Sequence, residues 1–276
     1  MKKGMFILFA FALTLVACNK EDQVSVEDAI TTSEDLATVQ NIVQDTEDEI
    51  DAIVETTELE TTPDLTTNEC PVVTVTPEDG SFPRTVTIDY GTEGCEGPRG
   101  RLRKGQIIIT QTDLLRVAGA VRTVTFSDFS IDEVALEGTK TITNNGLNDA
   151  GQPSLSREVS GAQITYPDGL QVSWEALHTL TQIGGVGTLP LIDNVFTIEG
   201  GSSGVNRNGV AFSATITTPL TKSKNCEWIE SGVKEYTFGD RTRTLDYGAG
   251  SCENLATATF ANGTTRTVRI RAWWRR

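Results

Sequence analysis

Residues 84–91 read Arg84-Thr85-Val86-Thr87-Ile88-Asp89-Tyr90-Gly91. β-Branched side chains recur there with a period of two, the repeat of a strand whose successive side chains face opposite ways. The same texture returns in Val73-Thr74-Val75-Thr76, from Gln106 to Thr110, and in Thr215-Ile216-Thr217. Turn formers separate these runs: Glu78-Asp79-Gly80, Asn145-Gly146, Pro167-Asp168-Gly169, Asn208-Gly209 and Asn262-Gly263. From Cys70 onward no segment has helical periodicity. The reading is all-β: an antiparallel meander over 70–276, long enough to bury a core of its own, folded as one or two curved sheets.

The chain also repeats itself. Cys70 is followed by Ile88-Asp89-Tyr90-Gly91 and then Cys95, and Cys226 by Leu245-Asp246-Tyr247-Gly248 and then Cys252. A second echo sets Glu137-Gly138, Asn145-Gly146 and Ser160-Gly161 against Glu199-Gly200, Asn208-Gly209 and Ser231-Gly232. Such recurrence describes duplicated hairpin units with drifting loop lengths.

The N-terminus carries an address. Lys2 and Lys3 precede the apolar run Phe6 to Val16, which is too short to span a bilayer, and Leu15-Val16-Ala17-Cys18 closes it. That tetrapeptide resembles the lipobox of bacterial lipoprotein precursors. The resemblance implies a signal peptide over 1–17 and acylation, with palmitate or a similar chain, on Cys18. Several acyl chains anchor a protein stably, at about 0.8 kcal/mol per buried CH2. The competing reading is an ordinary cleaved signal with a chance Cys. Lys20-Glu21-Asp22 resembles the export signal of Bacteroidota lipoproteins and implies an outer-membrane protein facing the cell exterior, with a periplasm-facing lipoprotein as the alternative.

The net charge of -15 is unevenly placed. Residues 19–69 hold 16 acids and one base, whereas residues 70–276 are nearly balanced, with 20 bases and 22 acids. No broad basic surface points to nucleic acid. The composition makes 18–69 a lipidated acidic tether, with a helix over 25–55 or a disordered stretch, then a Thr-rich linker over 56–69. A seam recurs at Ala29, Thr32, Leu36, Val39, Val43, Thr46, Ile50 and Ile53, and Ser25 with Asp28 forms a candidate cap. Acidic flanks disfavour pairing of identical seams, so a monomer is expected. The tether either spaces the domain from the membrane or packs in part on it.

With Cys18 acylated, four cysteines remain in an oxidising compartment, which implies two disulfides. The midpoints of Cys70–Cys95 and Cys226–Cys252 both fall in turns, favouring local pairs across hairpins. Pairing between the repeats, Cys70 with Cys226 and Cys95 with Cys252, is the alternative. No Cys-x-x-Cys spacing supports zinc.

Reactive constellations are not legible. His178 is the single histidine and reads as a strand residue, packed or solvent-facing. Gly200-Gly201-Ser202-Ser203-Gly204 reads as a flexible loop, since a nucleophile elbow needs a strand-to-helix turn. Asn144 to Asp149 reads as a turn lacking the acids of a calcium loop. No metal or cofactor is expected. Near the C-terminus Arg269, Arg271, Trp273 and Trp274 form a candidate cationic aromatic patch for a glycan or an envelope protein. The competing reading is an edge strand guarded by Arg, with Val268, Ile270, Ala272 and Trp274 on one face, against which the acidic tether could also lie.

The body resembles a group of Bacteroidota lipoproteins that share the Asp-Tyr-Gly…Cys repeats and the segment Gly138 to Gly146. The likeness covers most of Cys70 to Arg271 and transfers no functional residues. The expectation is a non-catalytic binding or envelope-structural domain. The alternative is a hydrolase of polysaccharide or peptide that uses carboxylates the sequence does not locate.

Overall fold

The structure is a computed structural model that describes residues 26–59, 70–97, 100–187, 191–239 and 241–269. It is all-β apart from one long helix among the described residues. Helix α1 (Val26–Leu59) precedes β1 (Val72–Thr76), β2 (Arg84–Asp89), β3 (Cys95–Glu96), β4 (Leu102–Gln111), β5 (Val121–Ile131), β6 (Val134–Leu147) and β7 (Pro153–Thr165). There follow β8 (Gln171–Gly184), β9 (Val195–Val205), β10 (Ala211–Ser223), β11 (Ser231–Phe238), β12 (Arg241–Ala249), β13 (Leu255–Phe260) and β14 (Thr265–Arg269). All belong to one open antiparallel sheet in chain order, with β3 pairing on β4 beside the main path. The meander follows from short turns, because hairpin connections bring consecutive strands together.

One face of the sheet is apolar because the period-two residues share it. On β2, Arg84, Val86 and Ile88 are buried and alternate with half-buried Thr85, Thr87 and Asp89. What covers this face is α1. Val39, Ile42, Ile50 and Val54 belong to one apolar cluster with Ile88, Ile107, Ile164, Trp174 and Phe238. The composition leaves the acidic segment either as a spacer or packed in part on the β domain; in the structure α1 packs on it, with Val39, Ile42, Ile50 and Val54 in the core of the sheet. A sheet with an apolar face must bury it against something, and the helix supplies the second layer. The helix also runs four residues beyond the expected end at 55, and Ser25 lies outside the described residues. Buried Thr46 and Thr57 donate their hydroxyls to the carbonyls of Ile42 and Val54 at 2.8 Å, so neither polar group is orphaned.

The sheet curls around α1. Asp51 accepts from Arg122 on β5 at 2.9 Å and also from Lys224, just past the end of β10. A second cluster, built on Ile198, Leu220, Tyr247 and Ala256, extends the core towards β14, where Val268 packs against it.

Both local disulfides are present, Cys70–Cys95 and Cys226–Cys252. Each ties the approach to the first strand of a hairpin to the exit from the second. The two Asp-Tyr-Gly segments match in detail: Asp89 Oδ1 accepts from the Gly91 amide at 2.7 Å, and Asp246 Oδ1 from the Gly248 amide at 2.8 Å. Tyr90 and Tyr247 are both buried. The second echo is less regular. Asn145-Gly146 lies within β6, and the turn comes later, where Gly151 donates to the Asn148 carbonyl at 2.8 Å. That turn, not Asn145-Gly146, resembles the one closed by Gly209 on Asn206 at 2.9 Å.

Gly200 to Gly204 is not a loop. It lies in β9, paired to β8 and β10. Its glycines admit close backbones: a Cβ on Gly204 would stand 2.0 Å from the Ser173 carbonyl oxygen. Glycine in a strand interior often marks such an approach.

Candidate functional site: the charged interior under the helix

The inner face of the sheet carries a row of residues in cross-strand register that is polar except at Ile142. Arg84, Gln111, Arg122, Ile142, Arg157 and His178 stand side by side on β2, β4, β5, β6, β7 and β8. The helix meets this row with a stripe of carboxylates. Glu58 lies 3.5 Å from Arg84, Asp51 lies 2.9 Å from Arg122, and Glu47 lies 3.3 Å from Arg157. Residues 58, 51 and 47 are separated by seven and four positions, which places them along one helical face. Lys140 also bonds Glu47.

Two further pairs fix the helix away from this row. Glu49 meets Arg103 of β4 at 2.7 Å, with side-chain exposures of 4% and 0%. Gly97 leaves the space this requires, because a Cβ there would lie 2.2 Å from the Arg103 guanidinium. At the other end of the helix Asp35, wholly buried, is 2.8 Å from Arg207 and accepts from the Tyr166 hydroxyl at 3.2 Å. Among the described residues, the acids of α1 are therefore balanced from inside the sheet. On β14, Arg266 lies 5.9 Å from the Phe260 ring centroid, and Arg269 donates to Asn254 at 3.5 Å.

Burial and charge compete at each pair. Burial raises the pKa of Glu47, but Lys140 and Arg157 overcome it and hold the carboxyl at about 2. Asp51 is likewise lowered: burial opposes ionisation, and Lys224 and Arg122 outweigh it. Lys140 is lowered by its own burial despite Glu47. These carboxylates stay ionised at neutral pH, so none of them is a proton donor of the kind acid catalysis needs. Between α1 and the sheet an apolar cavity of about 30 Å³ remains, beside Val43, Ile50 and Trp174, which is room for about one water.

Of the residues singled out in the sequence, Cys70, Cys95, Cys226 and Cys252 form the two disulfides, and Arg269 stands on the edge strand β14. Cys18, Arg271, Trp273 and Trp274 lie outside the described residues. His178 is buried on β8, in the strand the sequence assigns to it. Among the described residues no group of three or more His, Cys, Asp or Glu could hold a metal, and no helix is long and apolar enough to cross a membrane. The residues missed by sequence reasoning are the inward cations Arg84, Arg103, Arg122, Lys140 and Arg157. Their signal was available: Arg84 shares a strand face with Val86 and Ile88, and a charge on an apolar face requires a buried counter-ion.

No protein family, curated protein or solved structure matches this chain.

Two outcomes test the charged interior. Replacing Glu49 with Ala strands Arg103 in the core and is expected to cost about 3–5 kcal/mol in urea unfolding. Adding Arg103→Met should recover much of that loss, whereas a single-variant cost below about 1 kcal/mol would mark the pair as effectively exposed. For pH, a carboxyl with a depressed folded pKa contributes stability that is present above its unfolded value and lost on acidification. Stability should therefore fall as pH drops from about 4.5 through about 2, the ordinary and folded values for Glu47. In Glu47→Gln that slope should flatten; an unchanged slope would contradict the assignment.

Proposed function

We propose that this chain is an outer-membrane lipoprotein, anchored through acylated Cys18 and facing the cell exterior, whose β domain serves in binding or envelope structure without catalysis. The observation that carries the non-catalytic part is the use of the interior carboxylates. Glu47, Glu49, Asp51 and Glu58 each sit against a guanidinium or ammonium group of the sheet. Such acids position a helix. Engaged in this way, these four do not face one another as the acid pair that glycoside hydrolysis uses.

The docked helix alters the geometry of the anchor. Val26 begins α1, eight residues after Cys18. Fully extended, such a stretch reaches at most about 28 Å. On this reading the sheet is held near the bilayer as a monomeric platform, and its partners are envelope proteins or glycans.

The test is a Cys18→Ala substitution in the full chain, expressed in a Bacteroidota host. Incorporation of radiolabelled palmitate should vanish, and the protein should leave the membrane fraction. The unsubstituted protein on intact cells should be cleaved by added protease. Retained labelling, or membrane association unaffected by the substitution, would overturn the anchor. Turnover of a polysaccharide or peptide that a single Asp or Glu substitution abolishes would overturn the non-catalytic reading.

A further inference from the structure

The carboxylate stripe of α1 ends before the polar row of the sheet does. Glu47 is its last acid, and the next positions one turn back are Val43 and Gln44, neither of them charged. Beyond Arg157 the inner face continues with His178 on β8 and Lys234 on β11. His178 is 9% exposed, and its Nδ1 is buried with no hydrogen-bond partner. Lys234 stands in register between Ile216 of β10 and Leu245 of β12, both packed against the second apolar cluster. Among the described residues it makes no carboxylate contact, and it lies 5.2 Å from the Tyr236 ring centroid. A lysine with an apolar neighbour on each side and no counter-ion is costly to hold, as is a buried imidazole nitrogen without a partner.

These two groups face the same space. Tyr236 and Phe238 share the face of Lys234, and Trp174 and Ala176 share the face of His178; Phe238 and Trp174 belong to the cluster that packs on α1. Between β8 and β11, β9 contributes only Gly200 opposite His178, and β10 contributes Ile216 opposite Lys234. β8 and β11 are three strands apart, about 14 Å at the backbone of a flat sheet and less across the inside of a curled one. Lys234 and Arg157 are both close enough to the imidazole to oppose its protonation.

We propose that this part of the inner face binds an oxyanion, a carboxylate or phosphate group, held between Lys234 Nζ and His178 Nδ1 with the Arg157 guanidinium alongside. An anion there supplies the acceptor His178 lacks and the countercharge Lys234 lacks, and half-buried Ile216, Leu245 and Tyr236 offer an apolar wall to the rest of the ligand. The electrostatics agree with the geometry. Burial, then Arg157 and Lys234, hold His178 at about 3, with Glu47 opposing, and burial with Arg157 brings Lys234 down to about 8. Glu47, the acid nearest this space, is already engaged by Lys140 and Arg157. The proposal rests on the reading of the domain as a binding protein.

His178 is the single histidine, so selective isotope labelling gives one imidazole signal in the intact chain. The experiment titrates that chain with sodium phosphate, and separately with sodium acetate, against sodium chloride at equal ionic strength. The expected result is a saturable shift of the imidazole nitrogen signal with phosphate or acetate and none with chloride. Lys234→Gln should weaken that response by about tenfold or more, and Lys234→Arg should retain it. Whichever salt acts at lower concentration separates a phosphate from a carboxylate ligand. Thermal unfolding gives a second readout: the active anion should stabilise the wild type and leave Lys234→Gln unmoved. No saturable shift, or a shift equal in Lys234→Gln, would overturn the site; the latter would mean an adventitious ion only. Neither result bears on palmitate labelling or fractionation, so failure here is distinguishable from failure of the anchored-lipoprotein reading.

Discussion

A strongly acidic helix lies inside a β-sheet, and that is feasible only if each buried carboxylate meets a cation. An isolated buried ion costs several kcal/mol even after relaxation. Glu49 with Arg103 is the sharpest case, since both side chains are almost wholly removed from water. The same requirement sets the rotation of α1, because Glu47, Asp51 and Glu58 share the face that meets Arg157, Arg122 and Arg84. It also sets the translation, because Asp35 at one end and Glu58 at the other have separate partners in Arg207 and Arg84. Apolar contacts hold the helix on the sheet, and the charges choose where it lies.

The curl of the sheet follows from that placement. One carboxylate, Asp51, is shared by β5 and by the segment following β10, five strands further along the sheet. A flat sheet would keep these elements far apart; a sheet wrapped on a helix brings them together. The two disulfides close the hairpins β1–β2 and β11–β12 near either edge of the sheet, and the covalent links restrict the unfolded chain there. The proposed oxyanion site falls beyond Glu47, where no described acid of α1 pairs with Lys234.

Much of the strand pattern was legible because it is local. Period two in Arg84 to Ile88 and a turn at Pro167-Asp168-Gly169 need no knowledge of the rest of the chain, and the two Asp-Tyr-Gly turns form from their own residues. What was not legible is relational. Sixteen acids in 19–69 leave spacer and packed segment equally open, because the partners of Asp35, Glu47, Glu49, Asp51 and Glu58 lie scattered from Arg84 to Lys224. The heptad-like seam named Val39, Thr46 and Ile50 correctly as inward, but it omitted Asp35 and Glu49, which are equally buried. Gly200 to Gly204 read as a loop because the backbones of β8 and β10, whose approach demands glycine, are not visible from the segment itself. His178 was placed on its strand, while its relation to Lys234, three strands away, appears only once the sheet is assembled.

Native-state hydrogen exchange across α1 tests this account most directly, because it asks whether the helix unfolds with the sheet. If charge matching holds α1 in the core, the amides of residues 46–57 should exchange only through global unfolding, with the same free energy as those of β4 and β5. Rapid exchange of residues 46–57 while β4 and β5 remain protected would contradict it and return the acidic segment to a tether.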